Sequence, residues 1–171
     1  MSFLSAEALD VNGLLAEVSA PGRGGIAVFI GLVRDHQAGR RVERLGYSAY
    51  APMAELVSAE IVAEAERRWP VRVGLRHRLG DLGIGEAAVA VAVAGAHRDE
   101  AFAACRYVIE EVKRRVPIWK RERYADGTEE WVDPTRQEIA RSEERDQEVA
   151  SSEKRGQEVA SSEKREGSAV W

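Results

Sequence analysis

At 171 residues and 18.9 kDa the chain is sized for one domain, or one domain with an appendage. Apolar residues make up 44% and charged residues 32%, which fits a soluble globular protein. A single cysteine excludes a disulfide framework, and a net charge of −4 argues against a bulk nucleic-acid binder.

In chain order, the first residues, MSFLSAEALD, have neither the basic start nor the apolar core of an export signal. With no apolar run near the roughly 20 residues of a membrane span, a cytoplasmic setting is expected. Apolar positions from Leu4 to Val18 read as a short helix interrupted near Gly13. Pro21 to Gly25 is a turn, and Ile26 to Val33 is a nearly continuous apolar run that reads as a buried strand. Asp35 to Arg41 reads as a polar loop and Val42 to Tyr50 as a second strand. Pro52 stands where a helix starts; Met53, Leu56, Val57, Ile61, Ala65 and Trp69 follow helical spacing, and Pro70 stops it.

Val71, Val73 and Leu75 alternate with Arg72, Gly74 and Arg76, predicting a half-exposed strand. Asp81 to Glu86 reads as a loop, and AAVAVAVA from Ala87 to Ala94 as a central strand tightly covered on both faces. Arg98 to Arg115 carries Ala101, Phe102, Cys105, Val108, Ile109 and Val112 on one stripe, an amphipathic helix that Pro117 ends. Ile118 to Tyr124 and Glu129 to Val132 flank a Gly-containing loop and read as a hairpin. The order β-β-α-β-β-α-β-β predicts an α+β sheet with helices packed on it.

Beyond about Thr135 the chain repeats every ten residues: SEERDQEVAS, SEKRGQEVAS, SEKREGSAV. Each unit offers one valine and one or two alanines, too little apolar surface to offset ordering entropy. Residues 1–134 are therefore expected to form the domain, and 135–171 a disordered or fraying helical tail.

Three clusters carry chemistry. Arg34 ends the Ile26–Val33 strand and can hold a phosphate or carboxylate through two hydrogen bonds. His97 and Arg98 sit at a helix start, where free N–H groups attract anions and basic side chains are unfavourable unless an anion is present. Lys113 borders the core stripe, and Lys120 follows across the turn beside Trp119, a bulky residue suited to walling off water. Two lysines brought close there repel, which favours proton transfer or capture of an anionic substrate. Cys105, on the apolar stripe, reads as a structural thiol; His36, His77 and His97 have no metal-ligand spacing.

These clusters, taken in order, resemble the MoaE family, the large catalytic subunit of molybdopterin synthase. The resemblance covers about residues 3–133. It rests on Phe29-x-Gly31-x-Val33-Arg34, Tyr50-Ala51-Pro52-Met53, His77-Arg78-Leu79-Gly80 and Gly85-Glu86. Ala96-His97-Arg98 with Ala101-Phe102, Lys113, Pro117-Ile118-Trp119-Lys120-Arg121-Glu122, Gly127 and Trp131-Val132 complete it. The repeat tail departs from the family pattern.

The resemblance implies an α/β hammerhead-type fold, a homodimeric core and a small ubiquitin-like sulfur-carrier subunit (MoaD type) bound at each end, a heterotetramer. The carrier's thiocarboxylated Gly-Gly terminus would deliver sulfur twice to cyclic pyranopterin monophosphate, building the molybdopterin dithiolene. Arg34, His97 and Arg98 would bind substrate, and Lys113 and Lys120 would be catalytic; no metal, cofactor, nucleic acid or membrane is implied. A docking module for a ubiquitin-like tail, or another anion-dependent enzyme such as a phosphotransferase, are the competing readings. The second has no nucleotide loop, and the first has no use for a phosphate-binding set.

Deletion of Gln137 to Trp171 is expected to leave the melting temperature and sulfur-transfer turnover unchanged, because the repeats have nothing to bury. Thermal melts and a turnover assay of the shortened chain check this; a large loss in either would mean the tail docks.

Overall fold

In the computed structural model, residues 2–132 are described; the expected repeat tail, 135–171, lies outside them. The elements are β1 (Leu4–Ser5), α1 (Val11–Val18), β2 (Gly25–Leu32), β3 (His36–Gln37), β4 (Arg40–Ala49), α2 (Ala51–Arg68), β5 (Val71–Arg78), β6 (Gly80–Gly83), β7 (Ala87–Gly95), α3 (Arg98–Arg115), β8 (Ile118–Tyr124) and β9 (Glu129–Val132). One sheet has the order β1-β5-β7-β2, antiparallel except for the parallel β1–β5 pair. The second has the order β3-β4-β8-β9, with β6 also paired to β4. This is an α+β architecture, as the element pattern predicts.

β7 explains how the first sheet is covered. Its valines, Val89, Val91 and Val93, point to one face and pack with residues of α2 and α3 such as Ile61, Ala65, Val108 and Val112. Its alanines, Ala90, Ala92 and Ala94, point to the other face and pack against Leu14 and Val18 of α1. Small side chains let α1 sit close. Gly74 on β5 does the same: a Cβ there would lie 2.7 Å from Leu14 Cδ1. The sheet is thus sandwiched, and β5 is more buried than the half-exposed strand predicted from its arginines.

Several boundaries differ from the sequence reading. The predicted Leu4–Val18 helix begins only at Val11. The Asp10 carboxylate accepts the Gly13 N–H at 2.9 Å, so Gly13 lies inside the capped first turn and does not interrupt it. Upstream, Leu4–Ser5 is a strand, held by the Glu55 carboxylate, which accepts the Phe3 and Leu4 amides at 2.9 and 3.1 Å. The predicted Asp35–Arg41 loop contains the hairpin β3–β4. Ala38 (φ 48°) and Gly39 (φ 78°) are both left-handed, the requirement of a two-residue turn that matches strand twist. The predicted Asp81–Glu86 loop begins with strand β6, and Arg78 (3.0 Å) and the Gly83 amide (2.6 Å) converge on the Glu86 carboxylate to close the turn into β7. The strand predicted as buried over Ile26–Val33 lies at the sheet edge, with one face open.

His77, at the end of β5, lies edge-on to Tyr47 with ring centroids 5.2 Å apart, and its Nδ1–H donates to the Arg78 carbonyl at 2.9 Å. Burial lowers its pKa from 6.5 to about 4, against the smaller opposing effect of that hydrogen bond. The unfolded chain therefore takes up this proton first as pH falls. Stability is full above pH 6.5 and is lost as pH falls toward 4, by on the order of 3 kcal/mol. Urea titrations at stepped pH should show this loss, and His77→Phe should flatten the slope between pH 6.5 and 4.5. An unchanged slope in that variant would assign the effect elsewhere.

Candidate active site

The second sheet has a buried and an open face. On β8, Lys120, Glu122 and Tyr124 are two apart and share the buried side. Glu122 is 1% exposed, which for a carboxylate demands partners. It has two: Lys120 Nζ at 2.7 Å from Oε1, and the Tyr124 hydroxyl, which donates to Oε2. Lys120 is itself mostly buried. Across the ladder Lys120 is opposite Tyr47 of β4. Burial, and then the Glu122 carboxylate, push the Tyr47 hydroxyl up to about 12, while the Arg34 guanidinium pulls it the other way. Arg34 is therefore near this group. It leaves β2 at a pinned point, where Val33 exchanges backbone hydrogen bonds with Glu86 (3.0 Å) and Gly85 (2.9 Å). Its guanidinium donates to Gln37 Oε1 at 2.8 Å.

The structure thus brings Arg34, Tyr47, Lys120, Glu122 and Tyr124 into one cluster from β2, β4 and β8. Lys113, in the last turn of α3, joins β2 by another route: its ammonium lies over the Phe29 ring, 5.9 Å from the centroid. Each of the two lysines has its own partner. Among the described residues the group facing Lys120 is a carboxylate, and the group facing Lys113 is an aromatic ring. Trp119 does not wall off Lys120. Alternation puts it on the opposite, open face of β8, where it is part-exposed.

His97 and Arg98 lie elsewhere. His97 caps α3 without a side-chain bond, and Arg98 is exposed, with only Asp99 at 3.8 Å. A Cβ on Gly24 would lie 2.5 Å from the Ala96 carbonyl, so α3 starts beside the Gly25 end of β2. From there it runs along β2 toward Phe29. Arg98 and Lys113 are fifteen residues apart on one helix, about 22 Å of rise. One chain alone does not bring its two predicted anion-binding groups together. Cys105 is buried beneath α3, and burial pushes its thiol up to about 11, so it is no nucleophile at neutral pH.

Sequence reasoning missed Tyr47, Glu122 and Tyr124 as parts of the site. A signal was present: Lys120-x-Glu122-x-Tyr124 is the two-residue period of one strand face, and a charged residue there implies a partner.

The structure thus places a fixed lysine–carboxylate pair beside an arginine on an α+β sheet. The family model described as MoaE protein matches residues 4–115, and the chain belongs to that family. It is 47% identical over 130 residues to the molybdopterin synthase catalytic subunit 1 of Mycobacterium tuberculosis, covering 75% of this chain and 88% of that protein. The molybdopterin synthase catalytic subunit of Pyrococcus abyssi is 44% identical over 131 residues, with 76% and 88% covered. Among solved structures, molybdopterin synthase from Staphylococcus aureus superimposes with a TM-score of 0.73 at 36% identity, covering 77% of this chain and 96% of that one. A complex of subunits 1 and 2 of molybdopterin-converting factor from Helicobacter pylori gives 0.63 at 25% identity, with 75% and 88% covered.

Glu122 should act as a positioning residue for Lys120. Glu122→Gln keeps the shape and a bond to Tyr124 but leaves the ammonium without its counter-charge. A loss of about 1–3 kcal/mol of stability is expected, together with a fall in sulfur transfer. In a double-mutant cycle, Glu122→Gln should cost little further activity once Lys120 is already Gln, since the pair acts as a unit. Additive losses would show that Glu122 acts independently of Lys120.

Proposed function

We propose that this chain is the catalytic subunit of a cytoplasmic molybdopterin synthase. In this reading it receives sulfur from the thiocarboxylated C-terminus of a small ubiquitin-like carrier and transfers it to cyclic pyranopterin monophosphate. The observation that carries the residue-level reading is the buried Lys120–Glu122 pair beside Arg34. Both reactants are anionic, and their meeting point needs fixed positive charge that does not reorganise as the reaction proceeds. Arg34 suits the substrate phosphate through its forked donors. Lys120, held by Glu122, stabilises negative charge as the carbon–sulfur bond forms and the cyclic phosphate opens, and its ammonium is a proton source for the leaving oxygen. Water then cleaves the acyl–sulfur link, which leaves sulfur on the pterin side and a carboxylate on the carrier. Lys113, over Phe29, contributes charge along the path of the carrier tail. The protein supplies no sulfur of its own, consistent with the buried Cys105. Residues 1–134 constitute the catalytic domain, and the repeat tail takes no part.

His97 and Arg98 belong to the substrate set in this reading, yet stand about 22 Å of helix from Lys113. The set is complete when a second copy contributes its α3 N-terminus. Mixing tests this directly. Lys113→Ala and Arg98→Ala proteins, each nearly inactive alone, should regain activity when co-refolded, approaching one quarter of wild type, because half of the dimers are mixed and each mixed dimer holds one intact site. Single-turnover sulfur transfer measures it. No recovery on mixing would place both groups in the same chain's site and refute the two-copy arrangement.

A further inference from the structure

We infer that Arg40 is a positioning residue for sulfur transfer: stacked on Tyr124, it locks the β3–β4 hairpin onto the β8–β9 turn and holds the Glu122 carboxylate, and through it Lys120, in one orientation. This rests on the role proposed above for Lys120. The Arg40 guanidinium lies over the Tyr124 ring, 3.5 Å from its centroid, well within the range of a cation–π contact. Its terminal nitrogens reach on to the β8–β9 turn and β9. Nη1 donates to Glu130, and Nη2 donates to Asp126 at 3.1 Å and to the Thr128 hydroxyl. Asp126 is itself fixed, since it accepts the Thr128 amide at 2.9 Å and the Thr128 hydroxyl at 2.5 Å. Tyr124 is buried and packs with Val42, Leu45 and Leu82. Confined by that core and by the guanidinium, it donates its hydroxyl to Glu122 Oε2.

Surface charge pairing alone does not account for this arrangement. Exposed ion pairs add little stability, and any long basic side chain reaching into solvent could meet Glu130 and Asp126. Arg40 instead stands where the two halves of the candidate site join. Inward, the contacts run from Arg40 to Tyr124, Glu122 and Lys120, the last pair 2.7 Å apart. Across the hairpin, Arg40 is opposite Gln37, whose Oε1 accepts from the Arg34 guanidinium at 2.8 Å. The hairpin needs such an anchor. β3 is two residues long and pairs only with β4 among the described strands, and a short two-stranded hairpin is marginal by itself. Beneath Arg40 the β4–β8 ladder shifts register between Val42 and Arg44, so regular backbone pairing is interrupted where the side-chain clamp takes over. The terminal torsion of a glutamate is soft. With Lys120 as its single partner the Glu122 carboxylate could turn; with Tyr124 on the second oxygen it cannot, and the ammonium keeps its place.

Two measurements on the full chain test the clamp: single-turnover sulfur transfer from a thiocarboxylated carrier at varied cyclic pyranopterin monophosphate, and NMR of lysine isotopically labelled at Cε, with the Lys120 signal assigned from Lys120→Gln. In wild type the two Hε protons of Lys120 should be inequivalent, the mark of a fixed side chain. Tyr124→Phe keeps the ring and its packing but removes the hydroxyl, and Arg40→Ala removes the clamp. Each should merge the two Hε signals and lower the saturating rate about tenfold, with circular dichroism unchanged. The half-saturating pterin concentration should stay constant in Tyr124→Phe and rise about threefold in Arg40→Ala, which also loosens the hairpin that tethers Arg34. Combining the two changes should slow the saturating rate no further than Tyr124→Phe alone, because both act through one hydroxyl. Arg40→Lys, which returns a cation to the ring face, should recover most of that rate. Inequivalent Hε protons with wild-type rates in both variants, or fully additive losses, would overturn the clamp. Merged signals with a wild-type rate would instead overturn the role proposed for Lys120, leaving the clamp nothing to position.

Discussion

β7 sets the spacing of the whole first sheet. Its valines hold α2 and α3 at one distance, and its alanines let α1 approach more closely on the other face. β2 pairs with β7 at the edge of this sheet, and α3 packs across the two strands. That position puts Phe29 beneath the last turn of α3 and leaves Arg34 to emerge at the end of β2, toward the second sheet. The basic site is thus a consequence of how one strand is packed: a larger residue at Ala90, Ala92 or Ala94 would lift α1, while one at Val91 or Val93 would shift α3 and the lysine it carries.

The second sheet contributes a buried charge. Burying Glu122 is unfavourable in isolation, and replacing such a pair by apolar residues is often neutral or stabilising. Its retention between Lys120 and Tyr124 fits a role in orientation. A long lysine side chain has much rotamer freedom, and a buried carboxylate at 2.7 Å removes it before substrate arrives. Arg34 has a weaker tether, to the half-buried Gln37, and is better suited to adjust to an anion.

Much of this was legible in the sequence where local pattern and tertiary environment agree. The α3 boundaries, the Pro52 helix start, the two-sided burial of β7 and the β8–β9 hairpin were all legible, because periodicity and punctuation act locally. The misses share a cause. The Leu4 strand depends on a carboxylate some fifty residues away, and β6 on a partner strand some thirty-five residues earlier. The apolar run of β2 reads the same whether it is buried by its own chain or by another molecule. At the candidate site, residue types pointed to Arg34, Lys113 and Lys120, but no spacing rule reveals that Glu122 pairs with one lysine, or that His97 and Arg98 lie at the far end of the helix that carries the other.

That last separation changes how the helix is understood. A lone α3 with acidic residues at its start and basic residues at its end is simply well matched to its own dipole. His97 and Arg98 break that match, since a cation at a helix N-terminus is unfavourable without an anion nearby. In the two-copy set proposed above, an anionic phosphate held between the N-terminus of one α3 and the C-terminal lysine of another would resolve the conflict for both helices. It gains the N-terminal dipole, the guanidinium and the ammonium together, and it screens the like charges that an empty site would bring close. On this argument substrate and second copy favour each other. In that proposed set the basic cluster opposes association until an anion fills it.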